Sequence, residues 1–264
     1  MSSSQVIVSI TGASILPVAI TLYHTNSTIG ANSGIGFDTA AALTEASSKY
    51  HVILGCRSLE KCQAALNELQ ARNPIGTLSF VAINIDSKDS IAMAAQHIRQ
   101  KYNRIDVLVH NAGIISRAPD LAGQLQATLT TNAIGSALVA YEFAPLLQKS
   151  SDPRLIHVTS GLGSITRRTH PGSIQVSTVA YRMSKAAINM LTACNVAEFG
   201  PWGCKVWALC PGYVLTNIFG GPDKQSKVGA LSSQTSATFI RQVIEGERDA
   251  DIGKFIHKDG EYPW

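Results

Sequence analysis

Tyr181 and Lys185 stand four residues apart in the segment YRMSK, with Ser160 upstream in VTSG and Asn132 earlier still in TNAIG. On a helix, positions i and i+4 share one face about one turn apart. The Lys185 ammonium can therefore stand beside the Tyr181 phenol. An ordinary phenol, with a pKa of about 10, is rarely ionised at neutral pH. A neighbouring fixed cation favours the phenolate and draws that value toward the working range. A tyrosine tuned this way donates a proton to a developing alkoxide or takes one from an alcohol. YxxxK alone also fits an exposed amphipathic helix, so its meaning depends on what the rest of the chain places around it.

Short apolar, β-rich runs recur at Val6–Ile10, His51–Leu54, Leu78–Ile83, Val107–His110, Arg154–Val158 and Lys205–Ala208. Helix-length stretches lie between them: Phe37–Ser47, Leu59–Arg72, Ser87–Tyr102, Ala133–Leu147 and Thr178–Phe199. Strands that are apolar throughout, separated by helices, predict an α/β fold with a doubly wound parallel sheet and helices on both faces. Such a sheet binds ligands beyond the carboxyl ends of its strands. The region from Gly220 to Thr238, rich in Gly, Ser and Gln, reads as a polar loop leading into a surface helix or as a mobile lid over a substrate pocket.

The 264 residues suit a single domain spanning 1–264, with no internal repeat or linker. A net charge of +4, with its lysines and arginines dispersed, argues against a nucleic-acid partner. No uncharged apolar run approaches the ~18 residues of a membrane span, and the start lacks the basic region of a secretory signal. Five cysteines without CxxC spacing predict reduced thiols, a cytoplasmic location and no metal site.

The segment Gly30-Ala31-Asn32-Ser33-Gly34-Ile35-Gly36 has glycines spaced GxxxGxG and opens into a helix. Such a loop lets backbone N–H groups approach a pyrophosphate at a helix N-terminus. It should follow the first strand at once, yet residues 12–29 intervene after Thr11. Removing those eighteen residues joins VSIT directly to GANSGIG. They read either as a surface insertion or as a translated intron of fifty-four nucleotides. The codons favour the intron: Gly12 can begin G-GT, Thr25-Asn26 can be ACTAAC, and Ile29-Gly30 can be ATAGGA. Splicing there rebuilds one glycine codon and keeps the frame.

The second strand ends Gly55-Cys56-Arg57, with no acid to bind a ribose 2′-hydroxyl. Arg57 offers instead a permanently charged planar fork suited to a 2′-phosphate, which predicts NADP(H). After the fourth strand, Asn111-Ala112-Gly113 forms a small-residue turn that lets the chain pass close to a ribose.

In this order the motifs resemble the short-chain dehydrogenase/reductases over nearly the full chain: TGA…NSGIG, NAG at Asn111, Asn132, Ser160, YxxxK at Tyr181, and PGYVLT from Pro211 to Thr216. The tail GKFIHKDGEYPW and the run RIDVLVHNAG resemble the carbonyl reductase group and fungal secondary-metabolism reductases. The resemblance implies a single-domain Rossmann fold and NADPH-dependent reduction of a ketone or aldehyde. Alcohol oxidation by the same residues would be the reverse. The implied substrate is small and moderately apolar, such as a polyketide or other secondary-metabolite intermediate, and the implied assembly is a monomer or homo-oligomer.

Residue by residue, it implies Tyr181 as proton donor or acceptor and Ser160 as hydrogen-bond partner of the substrate oxygen. Lys185 would lower the Tyr181 pKa and bind the nicotinamide ribose, and Asn132 would hold a water-linked proton path. Gly30, Ser33, Gly34, Ile35 and Gly36 would line the cofactor at the loop, and Asn111 the adenosine side. Val214 and Thr216 would contact the carboxamide. Asn84 stands where the family carries an adenine-binding Asp, with Asp86 two positions on. Ser33 replaces a basic residue, which leaves Arg57 to hold the 2′-phosphate largely alone. The interrupted loop also admits a different class of function, a catalytically silent nucleotide-binding sensor or scaffold.

Overall fold

The computed structural model describes residues 5–11, 34–172, 178–214, 218 and 230–264. The inserted stretch 12–29, Gly30 and Ser33 of the glycine loop, and Thr216 therefore lie outside the described residues.

The apolar runs form one sheet, β1 (Val6–Thr11), β2 (Tyr50–Cys56), β3 (Thr77–Ala82), β4 (Val107–His110), β5 (Arg154–Val158), β6 (Lys205–Leu209), β7 (Phe255–His257) and β8 (Gly260–Glu261). Its order is β3-β2-β1-β4-β5-β6-β7-β8, parallel except for the final β7–β8 hairpin. Every residue of β4 and β5 is buried, as strands covered on both faces must be. One apolar layer, with Val8, Ile10, Val109, Ile156 and Trp207, packs on one side of the sheet. The other, with Ile7, Leu108, Leu155, Phe143 and Phe199, packs on the opposite side. This is the doubly wound Rossmann arrangement expected from the sequence. The strand order reverses between β1 and β4, which opens a crevice beyond Thr11 and His110.

The helices are α1 (Gly34–Ala46), α2 (Leu59–Ala71), α3 (Lys88–Tyr102), α4 (Leu121–Leu129), α5 (Ser136–Leu147), α6 (Ile165–Thr169), α7 (Val179–Phe199) and α8 (Ser233–Ile244). Ser58 and Ser87 cap α2 and α3 by accepting backbone N–H groups of Lys61 and Ser90. Asn103 ends α3 in a left-handed conformation. Between α4 and α5 the chain widens into a π-helical turn, Thr130–Gly135. A side chain at Gly135 would come within 2.6 Å of the Ile85 carbonyl oxygen, so the turn must carry a glycine at its close approach to the β3–α3 connection.

Of the stretch read as loop or lid from Gly220 to Thr238, residues 220–229 lie outside the described residues, and the remainder leads into α8, which packs on α1 and buries Phe239, Ile240, Val243 and Ile244. β7 and β8 were not anticipated, because two- and three-residue strands carry too little alternation to stand out. One expectation, that of free thiols throughout, is corrected: Cys56 and Cys62 form a disulfide with Cα atoms 5.9 Å apart. The short Arg57-Ser58 turn folds α2 back along β2 and brings a pair six residues apart together, a spacing unlike CxxC. Cys194, Cys204 and Cys210 are free.

Candidate active site

The carboxyl end of β5 and the first turns of α7 bring the chemistry-bearing residues together. Lys185 is only 4% exposed, and its Nζ donates to the Val158 carbonyl oxygen at 2.9 Å. Gly163, in the turn after Ser160, allows this packing: a Cβ there would lie 2.6 Å from the Lys185 carbonyl carbon. Thr159 adds a second tie, its hydroxyl donating to the Lys185 carbonyl at 3.2 Å and to Asn189 Oδ1 at 2.7 Å. The strand end and helix face are thus locked in register.

Tyr181 is buried one turn before Lys185, with the ammonium 5.6 Å from its ring centroid. A side-chain hydrogen bond joins Tyr181 to Ser160. The Ser160 Oγ also accepts the Leu162 N–H at 3.2 Å, which leaves the serine hydroxyl better disposed to donate. Asn132 lies in the π turn and is fully buried. Its Oδ1 accepts the Ile114 N–H at 2.7 Å, and its Nδ2 donates to the Ile114 carbonyl and to Ser184 Oγ, each at 2.9 Å. A Cβ at Gly113 would stand 3.5 Å from both Asn132 Oδ1 and Lys185 Nζ, so those two groups flank one small residue. π turns recur at functional sites because they displace one residue from the helical ladder.

The electrostatics differ from the expectation in one respect. Burial pushes the Tyr181 phenol well above its ordinary value, and the Ser160 hydrogen bond only partly offsets it. The same burial draws Lys185 down to about 8. The lysine was expected to lower the phenol, but its ammonium is turned to the Val158 carbonyl and desolvation outweighs charge. Cys210, at the end of β6, also adjoins this centre: its Sγ accepts the Gly161 N–H at 3.2 Å and interacts with Lys185 and Tyr181.

Behind the lysine, His157 hydrogen-bonds Asn195 Oδ1 at 2.9 Å and His110 Nδ1 at 3.1 Å. Since Asn Oδ1 accepts, His157 Nε2 carries the proton and His110 donates from Nδ1. Burial lowers both histidines, His157 to about 4, so both are neutral near pH 7.

On the cofactor side, β1 ends at Thr11 and α1 opens at Gly34, whose φ of 65° suits a glycine. Ile35 packs against the core and Gly36 is buried. Arg57 follows β2, and its Nε and Nη2 are buried without a hydrogen-bond partner among the described residues. Two orphaned guanidinium donors are what an absent anion would satisfy. Asp86 is exposed and close enough to favour the charged form of Arg57. Asn84 is half-buried, its N–H donating to Ser90 Oγ at 2.9 Å and its Oδ1 accepting the Asp86 N–H at 3.3 Å. Asn111 stands in the crevice at the end of β4, half-buried. Val214 is buried and bridges Leu231. These residues therefore fit a nicotinamide dinucleotide lying across the switch point. Among the described residues no cluster of His, Cys, Asp or Glu could hold a metal ion, and no helix is long and apolar enough to cross a membrane.

Sequence reasoning placed Asn132, Ser160, Tyr181 and Lys185 together and the structure does the same. It passed over Gly163, Cys210 and the histidine pair, whose neighbours lie far off in the chain.

Comparison with known proteins agrees with this geometry. The sequence model of the short chain dehydrogenase family matches residues 27–227. The chain is 35% identical over 253 residues to the short-chain dehydrogenase/reductase tropE of Talaromyces stipitatus, covering 88% of this chain and 94% of that protein. It is 32% identical over 268 residues to the short-chain dehydrogenase/reductase eupG of a Phoma species, covering 89% and 95%. Among solved structures, NADPH-bound carbonyl reductase from chicken fatty liver superimposes with a TM-score of 0.77 at 25% identity, covering 98% of this chain and all of that one. The protein belongs to the short-chain dehydrogenase/reductase family and is an oxidoreductase.

Proposed function

We propose that the chain reduces a ketone or aldehyde with NADPH, and oxidises the corresponding alcohol in reverse. The substrate is small and moderately apolar, in keeping with a polyketide or other secondary-metabolite intermediate. The observation that carries this reading is the buried Tyr181 phenol, hydrogen-bonded to Ser160 with the Lys185 ammonium one turn away.

In this reading Ser160 and Tyr181 donate hydrogen bonds to the carbonyl oxygen and stabilise the charge that grows there. A bound NADPH would supply the hydride to the carbonyl carbon. Tyr181, held neutral by burial, carries the proton that the forming alkoxide requires. The phenolate left behind is stabilised by the Lys185 ammonium. Asn132 holds the Ile114 backbone against Ser184 and so keeps the wall beside Lys185 in place, next to a water-linked proton path. Direction follows the supply of cofactor and substrate, since one set of residues serves both.

Arg57 would hold the ribose 2′-phosphate on its orphaned Nε and Nη2, with Gly34, Ile35 and Gly36 along the pyrophosphate. Asn84 and Asp86 would lie toward the adenine, Asn111 toward its ribose, and Lys185 at the nicotinamide ribose. Val214 would meet the carboxamide. Gly30, Ser33 and Thr216 complete the proposed set from outside the described residues.

We read residues 12–29 as a translated intron. Without them, residues 30–33 alone connect β1 to α1, a length ordinary for a βα loop. The family match begins only at residue 27, although β1 is an interior strand paired with both β2 and β4. The second reading, a silent nucleotide-binding scaffold, rests on the same interruption.

Tyr181→Phe is expected to leave NADPH affinity unchanged and to lower ketone reduction ~100-fold or more; substantial residual turnover would remove the tyrosine from its role. Arg57→Met should weaken NADPH ~10- to 100-fold while leaving NADH binding near its original value. Equal losses for the two nucleotides would contradict a 2′-phosphate site. NADPH titration of the full chain and of a version lacking residues 12–29 separates the two functional readings. Binding gained or strengthened by the deletion supports the enzyme and the intron, whereas no binding by either version favours a scaffold that acts through a partner. Sequencing the mature transcript checks the splice itself: the fifty-four nucleotides should be missing.

A further inference from the structure

Gly161, next to Ser160, is walled by two side chains from distant parts of the chain. A Cβ at this position would overlap Arg167 Nη1 and stand 3.1 Å from Tyr262 Cε2. Arg167 also lies within electrostatic reach of Cys210, the residue that takes up the Gly161 N–H and adjoins Tyr181 and Lys185. The guanidinium therefore stands at the edge of the reacting centre, although its side chain is otherwise exposed.

Its position is built rather than incidental. Ser164 caps α6 by accepting the Arg167 N–H at 3.1 Å. The Arg167 Cζ lies 3.9 Å from the Tyr262 ring centroid, and the His257 ring stacks on that same ring at 4.0 Å. Two groups so near cannot share one face, so Tyr262 is held between them. The tail is fastened in turn: the Tyr262 N–H donates to the Phe255 carbonyl at 2.7 Å, and Ser164 Oγ donates to the Pro263 carbonyl at 2.6 Å. The Thr166 N–H donates to a main-chain oxygen of Trp264 at 3.0 Å, and Trp264 stacks on Phe255. Stacking engages the flat face of the guanidinium and leaves its N–H edge for a planar acceptor.

Burial draws Arg182 down, the nearby Arg168 adds to that, and Arg182 donates to the Leu162 carbonyl at 3.3 Å. Among the described residues no carboxylate pairs with Arg167, whereas the other nearby arginine of the tail region, Arg248, is paired with Asp251 at 2.6 Å.

We propose that Arg167 determines substrate specificity by selecting carbonyl compounds that carry an anionic oxygen substituent, either a carboxylate or an ionised acidic phenol. This rests on the reading of Ser160 and Tyr181 as the carbonyl-binding pair. It leaves the body of the substrate apolar and gives one end of it a charge.

The test uses two pairs of ketones, meta-acetylbenzoate with its methyl ester, and a nitro-substituted hydroxyacetophenone, ionised at neutral pH, with its methyl ether. Each is titrated calorimetrically, with NADPH present, into the full chain and into the version lacking residues 12–29, and its turnover is followed by loss of NADPH absorbance. The anion of at least one pair should bind ~10- to 100-fold more tightly than its neutral partner, as a charge-assisted hydrogen bond implies. That ratio should fall to about one in Arg167→Gln and to an intermediate value in Arg167→Lys. The pair that shows the preference identifies the anion. An absent preference, or one untouched by Arg167→Gln, overturns the proposal. Arg167-dependent binding without turnover would keep the anion site and remove the reductase reading; turnover without preference would do the reverse.

Discussion

A lysine buried against the end of a strand is the constraint around which the site is organised. Lys185 Nζ finds the Val158 carbonyl at 2.9 Å, and little water reaches it. A buried ammonium is costly, and here the cost appears as a pKa drawn down to about 8. Holding it there requires Gly163 to give way beneath the Lys185 backbone, and Thr159 to tie that backbone to β5. The same burial keeps the neighbouring phenol neutral. A neutral phenol is the form that can give a proton to a reduced carbonyl, so ligand-free burial prepares the site for the direction proposed.

The fold then serves two ends of one crevice. Strand reversal between β1 and β4 opens the nucleotide side, where Arg57 has donors without partners. The ends of β5 and β6 open the other side, where Ser160, Cys210 and Tyr181 converge. The Cys56–Cys62 disulfide fixes the short turn that carries Arg57, so the charge sits on a tethered segment rather than a free loop. The C-terminal tail does for Arg167 what this turn does for Arg57, bracing a guanidinium with an aromatic ring on one side.

Much of this was legible in the chain. β4 and β5 announce themselves because burial on both faces demands unbroken apolar runs, and the YxxxK spacing survives any detail of packing. The start of α8 was less legible, because Ser232 to Ser236 reads as loop and its buried Phe239, Ile240, Val243 and Ile244 show their spacing only past that point. The direction of the Tyr181 shift escaped because helical spacing gives proximity, and desolvation depends on what else crowds in. Arg167 escaped because its contact with Tyr262 joins residues far apart in sequence. No local pattern encodes that contact.

The most direct test of the central claim is the pH dependence of kcat/KM for NADPH-driven ketone reduction, in the wild-type chain and in Lys185→Met. Because the lysine must stay charged to stabilise the phenolate, and its folded pKa is about 8, activity should be level below that value and fall above it. In Lys185→Met the low remaining activity should lose that falling limb. A wild-type profile that stays level well above pH ~8, or a limb that persists unchanged in the variant, would contradict the account.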